Sequence, residues 1–233
     1  MKRLLFTLCG CYLLVCGSIS TASAATINID TFYTTTLEVF WDTADLPLVV
    51  SGLPPGEVVG GTRAITGSGS GFMTYEAPFG GRALIEGGVS DATTLAYGSL
   101  TPLNLNLEGA DAIRMAFVSC TQPTMSFTLG LTSGVGGSPV TAIDTFLWQN
   151  PPGDWSGGTF LMSLIGPAFS SVDFSDIDLI SLTISTAPGE SAYRAEISEP
   201  IQAVGVGIPD GGSSLALLGL ALTGFAMLKR WLS

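Results

Sequence analysis

The end of the chain holds the feature that most restricts its fold, an apolar segment too uniform to form one face of a soluble helix. The run Ser213 to Leu228 contains 16 residues and no charge, and Lys229 and Arg230 follow it. As a helix rising about 1.5 Å per residue it spans roughly 24 Å, against about 30 Å for the hydrocarbon core of a bilayer. Because the run has no polar stripe and ends in two cations, we predict a transmembrane helix with a cytoplasmic stop at Lys229 and Arg230. The alternative is a buried terminal helix.

A short motif, Ile208-Pro209-Asp210-Gly211-Gly212, lies directly before this apolar run. Pro209 biases Ile208 toward an extended backbone, and the two glycines keep the segment flexible. An extended, flexible peptide just outside a bilayer is accessible to a processing enzyme. The alternative is an ordinary linker before a permanent single-pass anchor.

The order of motif, apolar run and basic stop resembles the PEP-CTERM sorting signals, most closely the variant built on Val-Pro-Asp-Ser-Gly. Pro209, Asp210 and Gly212 fall on that motif, whereas Ile208 replaces valine and Gly211 stands where serine is usual. The resemblance implies an exosortase-type enzyme of the inner membrane that removes the tail. It also implies transient residence in the inner membrane, then the cell surface or the extracellular matrix, where such families are associated with exopolysaccharide.

The other end of the chain has the three parts of a secretory signal peptide. We expect signal peptidase to cut after Ala24, because Ala22 and Ala24 are small, so that Ala25 begins the mature chain. A lipoprotein signal using Cys16 is the alternative, although Val15 stands before it where a small residue is usual. The basic, apolar and cleavage parts are, in order, Lys2-Arg3, Leu4 to Val15 and Ala22-Ser23-Ala24.

Composition excludes several kinds of function for the domain between the two signals. Residues 25–212 carry four arginines against 19 carboxylates, a net charge of −15, with no lysine and no histidine. Such a surface repels phosphates, so we expect no nucleic-acid partner. Without histidine there is no Ser-His-Asp or Cys-His catalysis and no histidine-based zinc site. We identify no catalytic residue, metal site or cofactor. A carboxylate pair, as glycoside hydrolases use, is the enzymatic alternative.

Short alternating runs, separated by Gly, Pro, Asn and Asp, predict strands throughout residues 25–207. A dozen short strands with frequent turns favour one all-β domain, an antiparallel β-sandwich of jelly-roll-like topology, between a signal peptide at 1–24 and a sorting signal at 208–233. The predicted strands are Thr26 to Tyr33, Leu37 to Trp41, Glu57 to Ile65, Gly71 to Tyr75, Ala83 to Glu86, Leu103 to Leu107, Ala112 to Ser119, Thr124 to Leu131, Thr141 to Trp148, Thr159 to Ile165, Ile177 to Ser185 and Ala192 to Ile197.

A few side chains in this domain allow two interpretations each. The acidic groups Asp173/Asp176/Asp178 and Asp42/Asp45 are predicted to be solvated turns, with Ca²⁺ ligands as the alternative. We expect Arg63, after Gly60-Gly61, to pair with a carboxylate at a sheet edge, with ligand binding as the alternative. Trp148 and Trp155 bracket a turn and are expected to cap the core, with stacking on a sugar as the alternative. Cys120, the one cysteine outside the signal peptide, is expected to be a packed thiol rather than a reactive one.

Together these features predict an exported protein of the cell surface or extracellular matrix. Its sandwich is predicted to be non-catalytic and to bind exopolysaccharide. A secreted hydrolase that uses carboxylates is one alternative, and a permanently anchored envelope protein is another.

Overall fold

Fourteen short strands make up almost all the regular structure in the described part of the chain. The computed structural model describes residues 26–33, 37–41, 47–54, 56–68, 71–76, 82–88, 91–120, 124–149, 156–186, 192–198 and 200–205. These residues belong to one unit, Ala25–Val206. The strands are β1 Thr26–Asp30, β2 Leu37–Trp41, β3 Leu48–Ser51, β4 Thr62–Ser68, β5 Gly71–Glu76, β6 Arg82–Gly87, β7 Ala92–Tyr97, β8 Ala112–Cys120, β9 Thr124–Ser133, β10 Val140–Gln149, β11 Ser156–Ser163, β12 Ile177–Thr186, β13 Tyr193–Ile197 and β14 Ile201–Val204.

The strands form two antiparallel sheets. Sheet A has the order β1-β14-β8-β13-β6-β5-β2, and β11 also pairs with β8. Sheet B has the order β10-β9-β12-β7-β4-β3. Hydrophobic side chains from both sheets form a single buried cluster between them. The predicted all-β antiparallel sandwich is therefore confirmed.

Strict alternation of inward and outward residues builds the core. In β7 the side chains of Thr93, Leu95 and Tyr97 are buried, while those of the residues between them are partly exposed. The same two-residue period runs through β12, where buried and half-buried positions alternate from Leu179 to Thr186. A side-chain period of two gives each strand one core face and one outer face, so each sheet presents a continuous outer surface.

The aromatic side chains of Phe117, Phe127, Trp148 and Phe160 pack together on the core side. The Trp148 ring centroid lies 5.5 Å from that of Phe160 and 5.8 Å from that of Phe117. Gly158 leaves room for the indole, because a Cβ there would lie 2.8 Å from the Trp148 ring. The prediction that Trp148 belongs to the core is thus confirmed, whereas Trp155 lies outside the described residues.

The prediction of a strand from Leu103 to Leu107 is wrong, although the alternating leucines of this segment do pack against the core. Asn104 has a φ of 48°, which breaks the extended backbone, and only Leu105 forms a bridge, to Ile177. The segment instead lies along the start of β12: the N–H of Leu103 donates to Asp178 O at 3.0 Å. Leu107 is fully buried, so the alternating leucines close one end of the core rather than extend a sheet.

Candidate functional site

The predicted sorting and cleavage residues lie outside the part of the chain that the structure describes. They are Ala22, Ala24 and Ala25 at the signal cleavage site, Ile208, Pro209, Asp210, Gly211 and Gly212 of the processing motif, and Lys229 and Arg230 of the membrane stop. Within the described residues, no helix has the length and apolar character needed to cross a bilayer.

Arg63 lies in a buried ion pair that joins the two sheets. Its Nε and NH2 donate to Oδ2 and Oδ1 of Asp30, both at 2.5 Å, and both side chains are fully buried. Tyr97 Oη donates to Asp30 Oδ2 at 2.9 Å, and the Phe32 N–H donates to Oδ1 at 3.1 Å. The predicted pairing of Arg63 with a carboxylate is confirmed. Its predicted edge position is wrong, because β4 lies between β7 and β3 and the guanidinium is inaccessible to a ligand.

The backbone around this ion pair is specialised to hold it. Phe32 has a φ of 53°, and its ring lies 4.8 Å from the Arg63 Cζ, a cation–π contact. Gly60 and Gly61 have φ values of 71° and 66°, which non-glycine residues rarely adopt. Burial raises the pKa of Asp30, against the opposing effect of the Arg63 charge, and burial raises the pKa of Tyr97 well above its usual value. This buried polar cluster therefore serves the fold.

The acidic residues of the 173–178 segment do not converge on a common point. Asp173 accepts hydrogen bonds from the hydroxyl and N–H of Ser175, at 2.6 and 3.0 Å, and these bonds lower its pKa. Asp178 is almost fully buried and accepts the Val135 N–H at 2.7 Å. No group of three potential ligands that could hold a metal occurs among the described residues, which do not include Asp42 and Asp45.

The outer face of sheet A gathers three of the four arginines of residues 25–212. We call this surface the arginine face. Its members are Asn28 on β1, Arg82 and Glu86 on β6, Arg114 on β8, Arg194 and Glu196 on β13, and Gln202 on β14. These residues alternate with buried ones along their strands, so the two-residue period directs them away from the core.

Hydrogen bonds connect the arginine face across its strands. Arg114 NH2 donates to Gln202 Oε1 at 2.5 Å, and Gln202 Nε2 donates to Asn28 Oδ1 at 2.7 Å. Further along, Arg194 NH1 lies 3.1 Å from Glu86 Oε1. Arg114, Gln202 and Asn28 thus form a hydrogen-bonded row of planar groups across β8, β14 and β1, and Arg194 with Glu86 forms a separate pair.

The two ion pairs on this face remain accessible to a ligand. Arg82 NH1 lies 3.2 Å from Glu196 Oε1, and the Arg82 and Arg194 side chains are 49% and 51% exposed. Exposed apolar side chains lie on the same sheet, with Leu161 on β11, opposite Arg114, at 48% exposure and Val118 on β8 at 37%. Forked donors, carboxylate acceptors and apolar surface are the groups that bind hydroxyl-rich molecules.

The sequence alone does not reveal this face, because the face depends on strand register. Gln202 lies opposite Arg114, and Arg194 lies opposite Glu86, in pairings that join segments about 90 to 110 residues apart. The signal within the sequence is the spacing of two in Arg194-Ala195-Glu196, which places both charges on one face of a strand. That spacing does not reveal which strands are neighbours.

A pocket lies next to the segment that follows β1. Its volume is about 330 Å³, and Tyr33, Glu57, Pro54 and Pro200 contribute to its lining. The Tyr33 side chain is 58% exposed, whereas Glu57 is almost fully buried. The volume lies near the lower limit of small-molecule sites.

Structural similarity to known proteins is weak for this domain. The family 11 carbohydrate-binding module of the cellulosomal cellulase Lic26A-Cel5E of Clostridium thermocellum is 13% identical, with a TM-score of 0.41 over 79% of this chain and 97% of the module. The CBM22-1-GH10 modules of xylanase 10B from the same organism are 12% identical, with a TM-score of 0.32 over 79% of this chain and 28% of that one. The tailspike protein 4 of bacteriophage CBA120 is 10% identical, with a TM-score of 0.29 over 80% and 20%. At these values the similarity assigns no ligand or activity to this chain.

A family model matches the last residues of the chain. A search of curated protein sequences found no significant match. Residues 207–231, however, match the VPDSG-CTERM motif, and this segment covers the predicted processing motif, the apolar run and the basic stop. The carboxy-terminal segment of this protein is therefore a VPDSG-CTERM motif, the variant of the exosortase sorting signal that the sequence resembles.

Proposed function

We propose that this protein is exported, processed by an exosortase-type enzyme at the inner membrane and released to the cell surface or extracellular matrix. The observation that carries the proposal is the VPDSG-CTERM motif at residues 207–231, which begins three residues after the last strand ends at Val204. Signal peptidase would remove residues 1–24, and the apolar run would hold the chain in the inner membrane until the tail is cut.

The sorting step can be tested by changing the motif. Asp210→Ala should leave an uncleaved form in the inner membrane, because Asp210 is the acidic residue of the motif. Glu108→Ala, in an exposed turn of the domain, is the matched control and should be processed normally. Membrane fractionation and immunoblotting report both outcomes. Normal release of the Asp210→Ala protein would contradict recognition at this motif.

We further infer that the sandwich binds extracellular polysaccharide through its arginine face and does so without catalysis. The support is the connected row of Arg114, Gln202 and Asn28 beside two exposed ion pairs. Guanidinium and amide groups held by their neighbours bind hydroxyls or carboxylates of a sugar without first losing side-chain freedom. A face several strands wide also suits an extended chain better than a single ring.

Affinity electrophoresis through gels containing polysaccharide purified from the producing cells tests this binding. Arg194→Ala should restore much of the free mobility, because it removes an exposed forked donor from the face. The control is Thr141→Ala on the outer face of sheet B, which should be retarded like the wild type. Equal retardation of both variants would place the binding surface elsewhere.

One observation favours a hydrolase as the second candidate function. Glu86 lies directly opposite Arg194 on the neighbouring strand, so Glu196 is its diagonal neighbour on the same face. Diagonal pairs have Cα separations of about 7–8 Å, so two carboxylates lie on one patch of the face, each paired with an arginine. Glycosidases likewise use two carboxyl groups on neighbouring parts of one surface. Incubating the protein with matrix polysaccharide and measuring reducing ends separates the candidates: cleavage lost in Glu86→Gln and Glu196→Gln would establish the hydrolase.

A further inference from the structure

Five threonines form a continuous row across the outer face of sheet B. Thr66 lies opposite Thr94, Thr94 opposite Thr183, Thr183 opposite Thr128, and Thr128 opposite Thr145. The row therefore crosses β4, β7, β12, β9 and β10 at one level of the sheet, with Thr183 in the middle.

The threonine hydroxyls in this row bind one another. The Oγ1 atoms of Thr94 and Thr183 lie 2.7 Å apart, and those of Thr128 and Thr145 lie 3.0 Å apart. Each pair uses one of its two O–H donors within the protein, which reduces the number of water hydrogen bonds that must be broken when the surface is covered. The methyl groups contribute apolar surface between the pairs.

No outward position on the six strands of sheet B carries a charge. We call this surface the threonine face. Its members are Val49, Ser51, Thr62, Ala64, Thr66, Ser68, Ala92, Thr94, Ala96, Thr124, Ser126, Thr128, Gly130, Thr132, Thr141, Ile143, Thr145, Leu147, Gln149, Leu179, Ser181, Thr183 and Ser185. Small side chains predominate, and the larger members are Val49, Ile143, Leu147, Gln149 and Leu179. Ile143 and Leu147, on the edge strand β10, are 62% and 57% exposed.

An uncharged face is unusual in a segment whose net charge is −15 over residues 25–212. Two such domains repel each other wherever their carboxylates meet, so contact through the threonine face avoids the like charges. This face has no cationic side chain that could bind a nucleic acid or an acidic polysaccharide. Small outward side chains also permit two sheets to pack at the usual separation of about 10 Å.

The size of the face meets what a specific dimer requires. Strands spaced about 4.8 Å apart, with outward residues repeating about every 6.8 Å, give each outward residue about 33 Å², so the members of the face cover roughly 750 Å². Two fully overlapping copies would bury roughly 1,500 Å² in total, within the range of stable protein–protein interfaces. We propose that a second copy of this chain docks face to face on the threonine face, forming a two-fold symmetric, reversible dimer centred near Thr183.

Sedimentation velocity of protein purified from cells in a density-matched detergent tests this proposal. The wild type should associate reversibly as its concentration rises. Its association should become stronger as salt is raised from roughly 20 to 150 mM, because salt screens the repulsion between the two net negative charges and the interface itself contains no charged side chain. Thr183→Lys and Thr183→Glu should each weaken the association at least about tenfold, since each buries two like charges at the centre. Thr159→Lys, outward on sheet A, is the matched control and should associate normally.

Mixing the two variants gives the decisive result. Equal amounts of Thr183→Lys and Thr183→Glu protein should associate with each other more strongly than either does alone, because a lysine then faces a glutamate. Circular dichroism verifies that both variants fold. Monomers at all concentrations would overturn the proposal. So would unchanged association of both variants, or loss of binding to a neutral polysaccharide in the same variants without any self-association.

Discussion

The buried pair of Arg63 and Asp30 makes a quantitative prediction about what holds the two sheets together. Asp30 ends β1 in sheet A, Arg63 lies in β4 of sheet B, and both side chains are fully buried. Arg63→Met keeps the length and apolar stem of the side chain but removes its charge. The substitution leaves the Asp30 carboxylate in the core, with the Tyr97 hydroxyl and the Phe32 N–H as its donors among the described residues.

Removing one partner of a buried ion pair costs about 3–5 kcal/mol in the free energy of unfolding, because the other charge stays buried. Domains of this kind are stable by about 5–15 kcal/mol, so Arg63→Met should lose a large fraction of that stability. The double variant Asp30→Asn, Arg63→Met removes both charges. Its free energy of unfolding should fall clearly less than the sum of the decreases in the two single variants, since no unpaired ion is then left in the core.

Urea unfolding followed by circular dichroism measures the coupling energy between Asp30 and Arg63. The four proteins compared are the wild type, Asp30→Asn, Arg63→Met and the double variant. Arg82→Met is the matched control, because its partner Glu196 and the arginine are 24% and 49% exposed. A surface pair of this kind contributes about 0–1 kcal/mol, so the control should change little. A loss below about 1 kcal/mol in Arg63→Met, or strictly additive losses in the double variant, would refute the role of this pair.

Three further predictions concern stability. Burial raises the pKa of Tyr193 from 10.0 to about 12, so its contribution is present below pH 10 and is lost between pH 10 and 12. That loss amounts to roughly 3 kcal/mol at most, and Tyr193→Phe should flatten the alkaline limb of the stability profile in chemical unfolding. Gly98→Ala should lower the melting temperature far more than Gly109→Ala: both glycines have a positive φ, but a Cβ at Gly98 meets the Asp178 carbonyl and one at Gly109 meets nothing within 4 Å. Excess EDTA should leave the melting temperature unchanged, and a large drop reversed by calcium would restore the metal-site alternative for Asp173.

Local pattern predicted most of the strands. The run Leu37 to Trp41 is a strand with the predicted bounds, and Ala112 to Ser119 extends by one residue to Cys120. Alternation is a local property, so it needs no knowledge of neighbours. The pattern does not reveal strands β3, β7 and β14. Leu48–Ser51 and Ile201–Val204 have only four residues each, and Ala92–Tyr97 lacks a polar alternation because its outward residues include Ala92 and Ala96.

Long-range pairing was the part that the sequence alone could not supply. The segments Ile29-Asp30-Thr31-Phe32 and Gly60-Gly61-Thr62-Arg63 are separate in the chain, yet they meet in the buried ion pair. The threonine row likewise joins residues from 66 to 183 and exists only in the final register. By contrast, the sorting signal is contiguous, so its residues could be recognised without a fold.

Mapping the mature carboxy-terminus by mass spectrometry tests whether the protein loses its tail at the VPDSG-CTERM motif. Protein collected from the cell surface and the medium should end at or near Ile208 to Gly212, and no peptide from Ser213 to Leu228 should be recovered from it. The Asp210→Ala protein from the membrane fraction should retain those peptides. Surface-exposed wild-type protein that still carries Ser213 to Leu228 would contradict processing and establish a permanent anchor.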